Sequence, residues 1–328
     1  MTSTLHLHND LFNAFLLDGL GGAHNVNVEG VAAWTPPTGN LWVHLNYSNR
    51  EDILWLSESS GLDSLIVEAL LAEETRPRTT TLGGGLLITL RGVNLNPHSE
   101  PEDMISIRVW VDDSRIITCR KRHLISVDDL VHQFNSQQGP CNCAGFLVEL
   151  VDRIIWRMND TVEQFEDKVA EFEEQVLTVA NGSLRTELTS LRRQAITIRR
   201  YLAPQREALT RLTNERVTWL DDESRRRLSE VSDRLVRYIE DIDSVRERAA
   251  LIQEEVQSQM AEQMNSRMYV LSVVAAIFLP LGFLTGLVGV NLGGVPGTEN
   301  AQGFIVFTGV LVAVVIIQIV VFRWKKWM

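Results

Sequence analysis

Met268 to Val290 is a run of 23 residues without a charged side chain, and Phe304 to Phe322 is a second run of 19. As a helix the first would extend about 34 Å, enough to cross a ~30 Å hydrocarbon core with some tilt. Buried core helices of a soluble fold rarely supply two such stretches in succession. The pair predicts two membrane-spanning helices, 268–290 and 304–322, in a membrane region covering 268–328. The rest of the charge pattern agrees. Residues 1–267 carry 28 Lys and Arg against 41 Asp and Glu, whereas 268–328 hold only Arg323, Lys325, Lys326 and Glu299. A large acidic soluble part is joined to a short apolar one.

Orientation follows from the flanks. Arg267 precedes the first span, Arg323, Lys325 and Lys326 follow the second, and the connecting Asn291–Gly303 has neither Lys nor Arg. The excess of basic residues on the cytoplasmic side places both termini in the cytoplasm and the short loop outside. Trp324 and Trp327 stand where interfacial aromatics anchor a helix.

Several function classes drop out. An acidic chain, with a net charge of -11 and no sustained basic face, is a poor ligand for nucleic acid. No basic segment followed by an apolar run opens the chain, so no cleaved signal peptide is expected. Three cysteines make no disulfide framework, and a reducing cytosol suits them. Gly83-Gly84-Gly85 lacks the Lys-Ser/Thr of a nucleotide-binding loop. No nucleophile–base constellation is visible, and an enzyme is not expected.

The acidic part divides by composition. Residues 1–145 mix short apolar runs with turn residues and read as a cytosolic α/β domain. Strands are expected at Phe12–Leu17, Leu41–Asn46, Leu86–Val93, Ile105–Val111 and Ile116–Cys119, with helices at Glu51–Glu58, Ser64–Glu73 and Val127–Asn135. Residues 146–267 hold one proline, Pro204, and one glycine, Gly182. They predict long stalk helices over roughly 146–180, 184–215 and from 222 onward. In the last, Leu228, Val231, Leu235, Ile239, Ile242, Val245, Ala249, Ile252 and Val256 recur at spacings of three and four. Nothing breaks that helix before Pro280, so one continuous helix from about Asp222 to Val290 is expected. Its apolar stripe needs a cover. Copies of the chain around an axis would supply one, and the folding back of 146–267 as a monomeric bundle is the other solution.

The first span ends in Gly289-Val290-Asn291, followed by Leu292-Gly293-Gly294-Val295-Pro296-Gly297. This resembles the CorA superfamily of divalent-cation transporters, whose signature at this junction is Gly-Met-Asn. With Val290 in place of the methionine, and Phe278-Leu279-Pro280 upstream, it looks like the zinc-transporting ZntB branch. Leu17-Asp18-Gly19, Leu41-Trp42-Val43-His44-Leu45-Asn46-Tyr47, Glu74-Thr75-Arg76-Pro77-Arg78 and Arg199-Arg200-Tyr201-Leu202-Ala203-Pro204-Gln205-Arg206 carry the likeness along the chain, as does the final Lys326-Trp327. The resemblance implies a funnel-shaped homopentamer with an α+β cytosolic domain, long stalk helices and two C-terminal transmembrane helices in a bacterial inner membrane. The first span of each subunit would line the pore, with lipid around the second. Val290 shifts the expected cargo from magnesium to Zn2+, with Co2+, Ni2+ and Cd2+ as further candidates, and no cofactor is implied.

Neither span contains Asp, Glu, His or Cys. Zinc held tightly takes thiolate, imidazole or carboxylate ligands, so this pore is expected to pass a hydrated ion along neutral oxygens. Five Asn291 carboxamides, with the carbonyls of Gly289 and Val290, would form the selectivity ring; Asn291 also suits a helix C-cap. Asn265, Met268, Leu271, Ala275, Leu279 and Gly282 form one helical stripe that the resemblance assigns to the pore. Its apolar members would gate by dewetting, and packing against the second span would explain the same spacing. Glu299 would gather cations at the outer mouth or serve as an ordinary loop residue. Glu254, Glu255 and Glu262 suit either acidic rings or a solvated helix face. Cys141 and Cys143, near His132 and Cys119 in sequence, and His6 with His8, are weak zinc-site candidates. A general magnesium or cobalt channel, and a non-conducting membrane-anchored scaffold, remain the alternatives. Proton coupling, if present, would need a titratable group outside the spans.

Overall fold

The computed structural model describes residues 5, 7, 12–73, 76–178, 182–289 and 302–325. His6, His8, Val290, Asn291, Glu299, Lys326 and Trp327 lie outside them. The described chain forms two compact units, Met1–Glu254 and Glu255–Met328.

The first unit is built on a seven-stranded sheet. Its strands are β1 (Asn13–Leu17), β2 (Ala23–Asn25), β3 (Leu41–Asn46), β4 (Arg78–Leu82), β5 (Gly85–Gly92), β6 (Ile105–Val111) and β7 (Arg115–Arg120), in the order β2-β1-β3-β7-β6-β5-β4. Only β3 and β7 pair in parallel; the other neighbours are antiparallel. Every residue of β6 is buried, as expected of a strand covered on both faces. One face packs on α1 (Val28–Ala32), α2 (Arg50–Leu54) with its π-helical continuation Trp55–Ser59, and α3 (Ser64–Leu71), through Val43, Leu56, Ile66, Leu70 and Cys119. On the other, Trp42 meets Phe134 of α4 (Ile125–Asn135) and Phe146 of α5 (Cys143–Trp156).

Two strands escape the sequence reading. β2 is only three residues long, and β4 is Arg-Thr-Thr-Thr-Leu, too polar for a hydrophobicity search. The expected helix over 146–180 is two helices, α5 and α6 (Asn159–Thr178). The break has no Gly or Pro. Instead Arg157 leaves the helix to pair with Asp129 of α4, with its Nε 2.9 Å and its second amino nitrogen 2.6 Å from the carboxylate, while Met158 is buried.

Three long helices complete the unit: α6, α7 (Gly182–Asn214) and the start of α8 (Asp222–Gly289). α8 continues unbroken for 68 residues, on the order of 100 Å. Asp221 starts it by accepting from the Ser224 N–H at 2.7 Å. Polar contacts fix the directions of its neighbours. Arg227 meets Glu149, Arg234 meets Asp152 and Arg248 meets Glu173, so α5 and α6 run with α8. Arg225 bonds the Thr213 carbonyl and Asp243 pairs with Arg199, so α7 runs against it.

The stripe from Leu228 to Ile252 is buried within this single chain. Of the two covers open to it, folding back of the chain's own helices is the one found here, and the notion that copies of the chain must bury this stripe is corrected. α7 in turn docks on the sheet edge. Thr79 of β4 donates to the Ala208 carbonyl at 2.8 Å, and Tyr201 lies under the Arg91 guanidinium at 4.5 Å.

Candidate ion-conducting segment

The second unit contains the rest of α8 and α9 (Gly303–Trp324). Both have windows apolar enough to cross a membrane, with mean hydropathies of 2.3 and 3.0, and neither window is buried within the chain. A helix apolar on every side and uncovered in water has lipid or other protein as its natural surroundings.

The two helices cover only one face of each other. On α8 the half-buried positions are Val273, Ala276, Ile277, Pro280, Leu281 and Leu284; on α9 they include Phe307, Leu311, Val315, Gln318 and Phe322. Gln318 Nε2 reaches the Ala276 carbonyl at 3.4 Å across this seam. Asn265, Met268, Leu271, Ala275, Leu279 and Gly282 are all exposed. At 3.6 residues per turn their mean direction lies about 160° around the helix from the half-buried row. The stripe is thus not the face that α9 covers. Gly282 also borders a groove with Leu281, Thr285, Leu311 and Val315. A Cβ on Gly282 would meet nothing within 4 Å.

Gly289 closes α8, exposed; Val290, Asn291 and Glu299 lie outside the described residues. Glu254, Glu255 and Glu262 are exposed on α8 ahead of the span. Among the described residues no group of three His, Cys, Asp or Glu side chains is placed to hold a metal ion. The cysteines are separated by their surroundings. Cys119 lies in the sheet core, Cys143 is buried at the start of α5 beneath the Asn40 amide at 3.3 Å, and Cys141 is exposed. Burial pushes the Cys119 and Cys143 thiols up to about 12, which disfavours the thiolate that zinc requires.

Sequence reasoning passed over a buried polar cluster in the sheet. His44 is enclosed, its Nδ1 2.8 Å from Thr118 Oγ1, while Arg120 Nε donates to its Nε2 at 2.8 Å. Burial, then the Arg120 and His123 charges, hold its pKa well below the usual histidine range. A ring that accepts from a guanidinium stays neutral, so the cluster is a structural lock rather than a metal site.

The family model described as CorA-like Mg2+ transporter protein matches residues 38–326. The chain belongs to the CorA family. Its members are metal-ion transporters and not enzymes. This CorA chain is 38% identical over 320 residues to the zinc transport protein ZntB of Yersinia enterocolitica, covering 98% of this chain and 97% of that one. The structure of the full-length CmaX protein superposes with a TM-score of 0.85 at 35% identity, over 96% of this chain and 97% of CmaX. The CorA magnesium transporter of Methanocaldococcus jannaschii has the same fold, with a TM-score of 0.83 at 16% identity, over 98% and 100% of the two chains.

Proposed function

We propose that this chain carries Zn2+ across a bacterial inner membrane, as a homopentamer whose α8 helices surround a central pore. The observation that carries the reading is the open face of α8. A stripe from Met268 to Gly282 is left uncovered by α9, which leaves it open to meet the α8 helices of other subunits. The name of the Yersinia relative, a zinc transport protein, favours zinc over magnesium.

The mechanism follows from the residues. Asn265 at the cytosolic end and Asn291 at the outer end are the polar side chains of the stripe and junction. Between them Met268, Leu271, Ala275 and Leu279 offer no ligand. Stripping a divalent ion of water there would cost far more than such a wall returns. The cation therefore moves hydrated, selected by the oxygens of the Gly289-Val290-Asn291 ring and gated where the Leu279 and Leu271 rings dewet. Residues 1–145 and 146–267 serve as cytosolic domain and stalk to the membrane region 268–328, with both termini cytoplasmic. Glu299 outside gathers cations by long-range attraction, and Glu254 and Glu262 line the cytosolic exit.

Reconstitution into liposomes tests the reading. Wild-type protein raises zinc influx over empty vesicles, and Asn291→Ala at equal incorporation removes most of that rise while the oligomer survives. Full flux in Asn291→Ala contradicts the ring. Faster passage of magnesium than zinc favours the general CorA-type channel, and no cation flux at all leaves a membrane-anchored scaffold.

A further inference from the structure

α8 passes through Pro280 without ending. Proline has no backbone N–H, so the helix loses the bond that residue 280 would donate to the carbonyl four positions earlier. That carbonyl belongs to Ala276. In hydrocarbon there is no water to satisfy it, and a bare backbone acceptor there is costly enough that a neighbouring group normally takes over.

The group that does so comes from the other helix. Gln318, the only amide in the second apolar run, directs its Nε2 to the Ala276 oxygen at 3.4 Å. The Gln318 carbonyl oxygen is buried and has no partner among the described residues, so the amide is held by its donor side. Pro280, Ala276 and Gln318 all lie on the half-buried seam. Ala276 directly follows Ala275, and Pro280 directly follows Leu279, both on the open stripe.

We propose that Gln318 is a positioning residue. It replaces the hydrogen bond that Pro280 removes and so ties α9 to α8 at the point where α8 is least constrained. The missing bond loosens α8 between Ala276 and Pro280, and the Gln318 amide makes the outer helix the element that sets its course there. Displacement of α9 is then passed to Ala275 and Leu279, which face away from it. An apolar residue at 318 would fill the seam equally well but would leave the carbonyl bare. This role rests on the reading that the open stripe borders the ion path.

A double-mutant cycle on the full chain tests it, using wild type, Gln318→Met, Pro280→Ala and the double variant. Methionine keeps the length of the side chain and removes the donor. Alanine at 280 restores the backbone N–H, so the Ala276 carbonyl no longer needs Gln318. Two quantities are read: the thermal midpoint of the protein in detergent, and the maximal zinc flux and half-saturating concentration in liposomes of phosphatidylethanolamine and phosphatidylglycerol. With Pro280 present, Gln318→Met lowers the midpoint and reduces maximal flux about threefold, the size of one interhelical hydrogen bond, at unchanged half-saturation. In the Pro280→Ala background Gln318→Met changes neither. Losses of equal size in both backgrounds, or no loss with Pro280 present, overturn the proposal. A cycle that appears in the thermal midpoint when no variant conducts any cation leaves the hydrogen bond standing and rejects the pore reading and the positioning role with it.

Discussion

Gln205 of α7 bonds both backbone groups of Arg91 in β5: the Arg91 N–H donates to its Oε1 at 2.7 Å, and its Nε2 donates to the Arg91 carbonyl at 3.1 Å. The side chain is fully buried and acts as one more rung on that stretch of the sheet. The Tyr-Leu-Ala-Pro-Gln segment that carries part of the family likeness thereby gains a physical role, the docking of α7 on the sheet. Gln205→Leu removes the side-chain amide from both the N–H and the C=O of Arg91. It should destabilise the soluble unit by about 3 kcal/mol, from unsatisfied groups worth about 1–3 kcal/mol each. Urea denaturation of the full chain, followed by tryptophan fluorescence, measures it; a loss below about 0.5 kcal/mol would contradict the assignment.

His44 makes the soluble unit sensitive to acid. Its folded pKa is depressed by burial and by Arg120 and His123, the latter paired with Asp128 at 2.6 Å; Asp52, buried, also faces Arg120. The unfolded ring titrates near 6.5 and takes a proton that the folded ring refuses. Stability is therefore held above about pH 6.5 and lost as the pH falls below it, by at most about 1.4 kcal/mol per pH unit. His44→Gln should flatten the dependence between pH 6.5 and 5.5. Thermal midpoints across that window check this, and an unchanged slope in the variant would assign the acid sensitivity elsewhere.

How much of this was legible in the sequence depends on what each signal encodes. β3 and β6 have the bounds their Val, Ile, Leu and Trp runs predict. β4 was hidden because three threonines carry no apolar period, although Gly83-Gly84, both at positive φ, mark the two-residue turn that joins it to β5. The α5–α6 break depends on Asp129, a partner 28 residues away in the chain, and no local pattern announces it. Periodicity identified the Leu228–Ile252 face as buried but could not say whose side chains bury it, and the chain's own helices prove sufficient. In the membrane pair the difficulty is reversed. α9 is apolar all round, so only the structure distinguishes the seam through Ala276 and Gln318 from the open stripe through Ala275 and Leu279.

Coupling to protons is constrained by composition. On the proposed function, the membrane potential favours entry of a cation by about 2.3 kcal/mol per charge per 100 mV, so inward zinc movement would need no second energy source. The spans hold no carboxylate or histidine. Any coupled group sits outside them, with Glu299 and Glu262 first in line. Uptake should be modestly pH-dependent, and Glu299→Gln or Glu262→Gln should alter that dependence; Glu299→Gln should also weaken uptake most at low ionic strength, where the attraction is least screened. Zinc uptake under imposed proton gradients decides it, and a strong dependence unchanged in the double variant moves the coupling group into the cytosolic part.

The central claim is that the face of α8 left open by α9 borders the ion path. Single cysteines at Ala275 and Leu279 on that face, and at Ile277 and Leu281 on the seam, address it in a Cys141→Ser background. Cys119 and Cys143 are buried, with thiols pushed up to about 12, and do not compete for reagent. A positively charged, membrane-impermeant thiol reagent is applied to proteoliposomes and zinc flux is followed. An ion path along the open face predicts block at 275 and 279, slowed by zinc in the bath, and no block at 277 and 281. Block at the seam positions with none on the open face would contradict it.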